Sequence, residues 1–140
     1  MTSKSPLILS FVALMLSSCS TYQPTKIDDI CKIFWGETDW YEDARAAHNR
    51  WGTPITVMMA IMKQESSFRA DVRPDRPRFL FIPLTGRSSD YGYEQAEDPA
   101  WNDYKKATEN RGHDRDDFRD AINFIGWYTN KSHRRLGISK

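Results

Sequence analysis

The chain has 140 residues, of which 39% are hydrophobic and 28% charged, and its 20 Lys and Arg residues nearly balance 19 Asp and Glu residues. This length predicts one domain, and a net charge of +1 spread along the chain argues against the basic patch or tail that nucleic-acid binding usually requires. Five Trp, six Tyr and seven Phe residues predict an ordered core and argue against intrinsic disorder.

Residues 1–18 have the pattern of a processing signal. One early cation, Lys4, precedes an apolar run from residue 7 to residue 16, and small residues follow up to Cys19. The run is about half as long as a bilayer-spanning helix requires, which is typical of a signal peptide. Leu16-Ser17-Ser18-Cys19 resembles the lipobox of bacterial lipoproteins, in which the cysteine is acylated and becomes the first mature residue. Ordinary cleavage near Cys19 is the alternative.

Removal of these 18 residues leaves 122 of the 140, with 19 basic and 19 acidic residues, because Lys4 is the one charged residue lost. We expect residues 19–26 to be a polar tether and residues 27–140 to form the domain. Since Cys19 carries lipid in this interpretation, Cys31 has no disulfide partner and is expected to be a small buried hydrophobe.

Capping residues and hydrophobic spacing predict five helices in the mature chain. The third helix is predicted to begin with Thr53 as its N-cap and Pro54 in its first turn. The fourth is predicted to begin in the same way, with Asp98 and Pro99. The fifth is predicted to end at Gly137. The predicted helices cover about residues 28–34, 39–51, 54–67, 99–110 and 114–136.

Residues 69–97 break the helical pattern. Pro74, Pro77 and Pro83 forbid a long helix there, and residues 78–82 favour one short strand. The predicted fold class is therefore mainly α, with one irregular or β-like segment.

The third predicted helix carries a glutamate among apolar residues. At about 100° per residue, Glu65 falls between Ile61 and Met58, on the side expected to be buried. A buried carboxylate is costly unless it is paired or protonated. A carboxylic acid that burial keeps protonated is what a general acid for glycosidic cleavage requires. The alternative is that Glu65 reaches solvent or pairs with Arg69 or Arg73.

Two motifs resemble the transglycosylase SLT domain, the lysozyme-like fold of bacterial lytic transglycosylases. Residues 59–68, Met-Ala-Ile-Met-Lys-Gln-Glu-Ser-Ser-Phe, resemble the first motif, a helix that ends in Gln-Glu-Ser-x-Phe and carries the catalytic acid, here Glu65. Residues 91–96, Tyr-Gly-Tyr-Glu-Gln-Ala, are similar to the second, a Gly-x-x-Gln segment that lines the glycan cleft, with Glu94 where a small or apolar residue is usual. The resemblance spans about residues 30–139 and implies an α+β lysozyme-like fold with helices around a cleft.

The resemblance implies a peptidoglycan lytic transglycosylase. Glu65 would protonate the β-1,4 link between N-acetylmuramic acid and N-acetylglucosamine, and would then take the proton of the 6-hydroxyl as a 1,6-anhydro ring closes. Water is not the nucleophile, so no second carboxylate is required. Gln95 would bind an acetamido or hydroxyl group, Tyr91 and Tyr93 would stack on sugar faces, and Ser66 would contact the substrate and orient Glu65. Core packing is the alternative for the two tyrosines.

SLT domains carry a third motif on a further helix, an aromatic or Tyr-Asn cluster that packs against the catalytic Glu. Since the chain stops at Lys140, either Tyr128 and Asn130 stand in for it, or the domain is truncated at its C-terminus and lacks one wall of the site. A missing motif supports one other function, an inactive peptidoglycan-binding lipoprotein with a residual lysozyme-like fold. A third possible function keeps the fold but makes the protein a hydrolase like goose-type lysozyme.

The expected partners are peptidoglycan glycan strands and a membrane, reached through lipid on Cys19, and no nucleic acid. The expected location is the bacterial cell envelope, lipid-anchored in the periplasm at the outer membrane. No cofactor and no metal are predicted, because the three histidines are dispersed and no Cys or His cluster is present.

Overall fold

A computed structural model describes residues 22–73, 78–79, 82–83 and 90–137. Within these residues the fold is mainly helical, which confirms the predicted fold class. The predicted signal peptide, the lipobox and Cys19 lie outside the described residues. Among the described helices, none combines the length and the apolar character that crossing a membrane requires. The elements in chain order are α1 (Ile30–Gly36), α2 (Thr38–Trp51), α3 (Ile55–Ser66), β1 (Arg78–Phe79), β2 (Ile82–Pro83), α4 (Asp98–Ala107) and α5 (Phe118–Leu136).

Local capping fixes several helix ends. The Asp29 carboxylate caps α1 by accepting from the Lys32 backbone N–H at 3.2 Å. Gly52 ends α2 in the left-handed conformation, with φ at 75°. The fifth helix starts four residues later than predicted, because Asp117 caps it from outside by accepting from the Asp120 backbone N–H at 3.0 Å.

The predicted Thr53 cap of α3 is wrong. Pro54 occupies the N-cap position, and the buried Thr53 hydroxyl instead donates to the Gly126 carbonyl at 3.0 Å. This bond ties the start of α3 to the middle of α5. Asp98 likewise does not cap α4, since it lies inside the helix and its carboxylate accepts from the Arg115 guanidinium at 2.9 Å.

The core forms where α5 packs against α2 and α3. The Trp40 ring stacks on the Phe118 ring with 4.0 Å between centroids, and Tyr93 meets Trp40 edge-on at 5.8 Å. A Cβ on Gly126 would lie 2.9 Å from Cδ1 of Trp51, so a glycine is needed for this close approach. The packed helices hold the C-terminal end of α3 beside α5.

The chain before α1 packs on the domain. Tyr22 meets Trp40 edge-on at 5.3 Å, and Pro24 is buried, so residues 22–26 of the predicted tether are not separate from the folded domain. Cys31 is exposed on α1, a helix that buries only Ile33. The predicted burial of Cys31 is therefore wrong.

The middle segment differs from the predicted single strand over residues 78–82. Strands β1 and β2 pair antiparallel, with Arg78 opposite Pro83 and Phe79 opposite Ile82. Pairing two short strands satisfies backbone groups that one isolated strand would leave without partners.

Candidate active site

The orientation of α3 differs from the one predicted. Its buried residues are Met58, Met59, Met62 and Ser66, and Glu65 is exposed. At about 100° per residue, Glu65 lies about 75° from the centre of this buried face. Of the two alternatives for Glu65, the structure therefore shows exposure to solvent rather than burial, and the carboxyl group lies at the edge of the buried helix face.

The buried face covers only part of the apolar side of α3, because Val57 is 40% exposed and Ile61 is partly buried. Phe68, the last residue of the first motif, is buried. The chain leaves the helix before it, because Ser67 and Phe68 have positive φ values of 52° and 62°. Phe68 therefore reaches the core from a left-handed turn and gives no information on which face of α3 is buried.

Glu65 lies on the lining of an open cavity of about 580 Å³ between α3, residues 94–97 and α5. Ile61 of α3 and Phe124 and Tyr128 of α5 contribute apolar surface to it. Cavities of roughly 300–1,000 Å³ with mostly apolar walls and a few polar groups are typical of small-ligand sites. The resemblance-based placement of Glu65 in a cleft thus agrees with the geometry.

The loop of residues 91–96 forms the opposite wall and is fixed on two sides. Tyr91 and Ala96 close it through an isolated β-bridge. The Gly92 backbone N–H donates to the Val72 carbonyl at 3.1 Å, and the Tyr93 backbone N–H donates to the Arg115 carbonyl at 3.3 Å. The loop therefore connects the segment after α3 with the segment before α5.

Gly92 is required at its position for two reasons. Its φ is +86°, a conformation that side-chain-bearing residues rarely adopt. A Cβ there would also lie 2.5 Å from the Arg115 carbonyl oxygen, which is a backbone atom. The Gly-x-x-Gln motif thus has a structural basis in this chain.

Gln95 lies on the cavity lining, as predicted for a substrate-binding residue, but its amide nitrogen is engaged. It donates to the Val72 carbonyl at 2.9 Å and to the Gly92 carbonyl at 2.7 Å. A contact with a glycan would therefore use the amide oxygen. Ser66 is not brought to the cavity, because its buried hydroxyl donates to the Met62 carbonyl at 3.2 Å.

The two tyrosines predicted to stack on sugars do not line the cavity. Tyr93 is 1% exposed and packs edge-on against Phe118, and burial raises its pKa to about 12. Its surroundings are those of the alternative interpretation, core packing. Tyr91 donates to the Asp114 carboxylate at 3.3 Å, and the Arg115 guanidinium lies 5.3 Å from the centre of its ring.

Tyr128 is the tyrosine that lines the cavity. It is 49% exposed and stacks on Phe124 at 5.7 Å, so part of its ring remains open to a ligand. Asn130, the other residue considered as a substitute for the third motif, donates to the Trp51 carbonyl at 2.8 Å. Tyr128 thus supplies an aromatic wall, whereas Asn130 ties α5 to the end of α2.

Glu94 also lines the cavity, although the sequence motifs did not predict it as a site residue. It is 5% exposed, and neither carboxyl oxygen has a hydrogen-bond partner among the described residues. Burial raises the pKa of Glu94 to about 8, and the nearby dipole of its own backbone N–H and the positive charge of Arg115 offset only part of this rise. The available signal was a glutamate at a motif position where a small or apolar residue is usual.

Two exposed ionisable groups, Glu97 and His133, complete the polar lining. In the part of the chain that the structure describes, no group of three His, Cys, Asp or Glu side chains is placed to hold a metal ion. The carboxyl groups of the cavity offer proton transfer and hydrogen bonding to a polar ligand.

Comparison with known families bears on this cavity. The family model described as the transglycosylase SLT domain matches residues 7–140. The chain belongs to the transglycosylase SLT domain family. No curated protein and no solved structure matches it. The activity associated with SLT domains is of the lytic transglycosylase type, directed at peptidoglycan.

In this SLT domain the two motifs meet at one cavity. The first motif supplies Glu65 from the last turn of α3, and the second supplies Glu94 and Gln95 from the loop on the other side. The roles of the individual residues stay predictions.

Proposed function

We propose that this SLT domain is a peptidoglycan lytic transglycosylase. It cleaves the β-1,4 bond between N-acetylmuramic acid and N-acetylglucosamine and leaves a 1,6-anhydro end, with Glu65 as general acid and then base. The observation that carries the proposal is the position of Glu65, at the end of the first-motif helix and on the lining of the cavity that the second motif closes.

In the first step the protonated Glu65 donates to the glycosidic oxygen, and the bond to the anomeric carbon breaks. The substrate's own acetamido group stabilises the positive charge that develops at this carbon. Because Glu65 is exposed in the free protein, the bound glycan itself must cover the carboxyl group and exclude water from it. Glycan binding is therefore part of acid activation.

In the second step the Glu65 carboxylate accepts the proton of the 6-hydroxyl while that oxygen attacks the anomeric carbon. The ring closes, Glu65 is protonated again, and no water is consumed. Hydrolysis by direct water attack would instead require a carboxylate base in the cavity. Glu94 is poorly suited to that role near neutral pH, because burial raises its pKa to about 8 and keeps it protonated. Glu94 is therefore not assigned as the base of a hydrolysis.

The test is release of anhydro-muropeptides from purified sacculi, followed by mass spectrometry. Glu65→Gln keeps the size of the side chain but removes the acid, and a fall of roughly 10²- to 10⁴-fold is expected for loss of general acid–base catalysis. The matched control is Glu42→Gln, which removes an exposed carboxylate paired with Arg45 on α2. Undiminished release by Glu65→Gln would refute the proposal.

The product ends separate the other two functions. Reducing ends in place of anhydro ends would show that water attacks, as in a lysozyme-type hydrolase. Retention on sacculi without turnover, unaffected by Glu65→Gln, would show an inactive binding lipoprotein.

We further propose that Cys19 is acylated and holds the domain in the cell envelope, at the outer membrane. Since Tyr22 already packs on Trp40, residues 20 and 21 alone separate Cys19 from the packed chain. An anchor at Cys19 would thus keep the domain close to the membrane surface. Cys19→Ser should abolish incorporation of labelled palmitate and release the protein from the membrane fraction. Unchanged incorporation would contradict the assignment.

A further inference from the structure

Glu94 combines deep burial with the absence of any hydrogen bond from its carboxyl oxygens to the described residues. Buried polar side-chain groups are nearly always hydrogen-bonded in folded proteins, because an unsatisfied group loses its interactions with water and gains nothing in return. Such a group calls for a specific explanation, and a polar ligand in the adjoining cavity is one.

The position of Glu94 is set by a rigid part of the fold. Its neighbours Tyr93 and Gln95 are held to the Arg115 and Val72 carbonyls, at 3.3 and 2.9 Å. The backbone at Glu94 is therefore fixed beside the cavity, and rotation of its own side chain is the movement available to it.

In the part of the chain that the structure describes, no charged group forms a hydrogen bond with the Glu94 carboxyl oxygens. Arg115 is the cation whose charge acts on Glu94, and the guanidinium of this residue donates to Asp98 at 2.9 Å. Two acidic groups, Asp114 and Asp116, lie in the segment before α5. The other ionisable groups near Glu94 lie on α4 or on the cavity lining. They are Tyr104, Glu65, Glu97 and His133.

We propose that Glu94 is a substrate-contacting residue, whose neutral carboxyl group turns into the cavity and donates a hydrogen bond to an oxygen of the bound N-acetylated glycan. The inference rests on the proposed function, because the glycan is the ligand that Glu94 contacts. The turn is needed because the two carboxyl oxygens are buried in the free protein. A protonated carboxyl group has one O–H donor and further acceptor capacity, which suits acetamido and hydroxyl oxygens.

This role makes glycan binding depend on pH. The donor exists only in the protonated form, and burial raises the pKa of Glu94 to about 8. Affinity is therefore expected to be highest below that pH and to fall as the pH rises through it. The carboxylate formed above it has no proton to donate.

The experiment measures binding without turnover, in protein that carries Glu65→Gln. Tetra-N-acetylchitotetraose is titrated calorimetrically at about pH 6 and about pH 9, on either side of the Glu94 titration. Adding Glu94→Ala should weaken binding about 2- to 10-fold at the lower pH, as expected for one lost hydrogen bond, and should remove the pH dependence. Adding Glu94→Gln should retain affinity at both pH values, because the amide keeps an N–H donor.

The control is Glu42→Gln in the same background, which alters an exposed carboxyl group on α2, outside the cavity lining, and should leave the pH dependence in place. Unfolding midpoints of all variants show whether each is folded at the titration temperature. Unchanged affinity and unchanged pH dependence in Glu94→Ala would overturn the inference. An equal loss in Glu94→Gln, or no binding by the parent at either pH, would overturn it too.

A different measurement, the release of anhydro-muropeptides, tests the proposed function. If Glu65→Gln releases anhydro-muropeptides as fast as the wild type, the transglycosylase assignment of Glu65 is wrong. The calorimetric comparison of the Glu94 variants still decides whether Glu94 contacts a glycan.

Discussion

Replacement of Glu94 by Gln should raise the free energy of unfolding over that of the wild type, and this gain should be larger at neutral and alkaline pH than at acid pH. Burial raises the pKa of Glu94 from 4.5 to about 8 in the folded protein. Ionisation is therefore easier in the unfolded chain than in the folded one. The folded state has no penalty below pH 4.5, loses stability as the pH rises, and reaches the full penalty once the pH exceeds about 8.

The magnitude follows from the width of this interval. Linkage gives about 1.4 kcal/mol per pH unit, so about 3.5 pH units correspond to about 5 kcal/mol at alkaline pH. At about pH 7 the penalty is still about 3 kcal/mol. These values are large against the 5–15 kcal/mol by which most domains are stable. They are upper limits, because an ionised Glu94 that turns toward the open cavity would regain water.

The assay is urea denaturation of both proteins followed by tryptophan fluorescence, at several pH values between about 4 and 9. The difference in unfolding free energy between Glu94→Gln and the wild type should be constant at the acid end and should rise toward the alkaline end. Glu97→Gln is the control and should give a flat difference. A flat difference for Glu94→Gln would refute the argument that burial holds this carboxyl group neutral.

Three further changes test the parts of the fold that build the cavity. Gly92→Ala should destabilise the protein by about 2 kcal/mol or more in urea denaturation, because its positive φ and the contact with the Arg115 carbonyl leave no room for a Cβ. Thr53→Val should cost about 1 kcal/mol in the same assay, since it removes the buried hydrogen bond to the Gly126 carbonyl. Tyr128→Ala should weaken binding of chitooligosaccharides on the order of ten-fold, as its half-exposed ring is part of the cavity wall.

Each of these has a matched comparison. Gly112→Ala places a Cβ no closer than 3.4 Å to a neighbouring side-chain atom, so a loss equal to that of Gly92→Ala would show that the loop clash is not the cause. Thr56→Val changes an exposed threonine of α3, and an equal loss there would remove the case for the Thr53 bond. Tyr41→Ala alters a tyrosine of similar exposure on α2, and an equal loss of binding would contradict a wall role for Tyr128.

Local chemistry in the sequence was sufficient for the helices and the family. Gly137 ends α5 in the left-handed conformation, as its position predicted. The two short motifs also led to the SLT family, which the family match confirms. These features depend on a few residues that are adjacent in the chain, so a single sequence contains the information.

Features that depend on distant contacts could not be predicted in this way. Thr53 has the side chain of an N-cap, but a carbonyl of α5, 73 residues away, takes its hydroxyl. Tyr93 lies in a motif expected to line a cleft, but its ring packs in the core against the rings of Trp40 and Phe118. A helical wheel contains no information on either partner, nor on which part of the broad apolar side of α3 the core covers, so burial and exposure of Glu65 both stayed open.

The two motif carboxyl groups of the cavity lie in different environments. Glu65, for which the sequence left burial and solvent exposure open, is exposed and accessible to a sugar. Glu94, in a segment expected to line a cleft, is buried and has no hydrogen-bond partner among the described residues. The raised pKa of Glu94 predicts a loss of stability at neutral pH that a small or apolar residue at its place would not cause. A destabilising residue beside a functional cavity is expected when its side chain binds the ligand rather than stabilising the fold. The stability and binding measurements on Glu94 therefore test the same idea: a residue that weakens the free protein should strengthen its complex with the glycan.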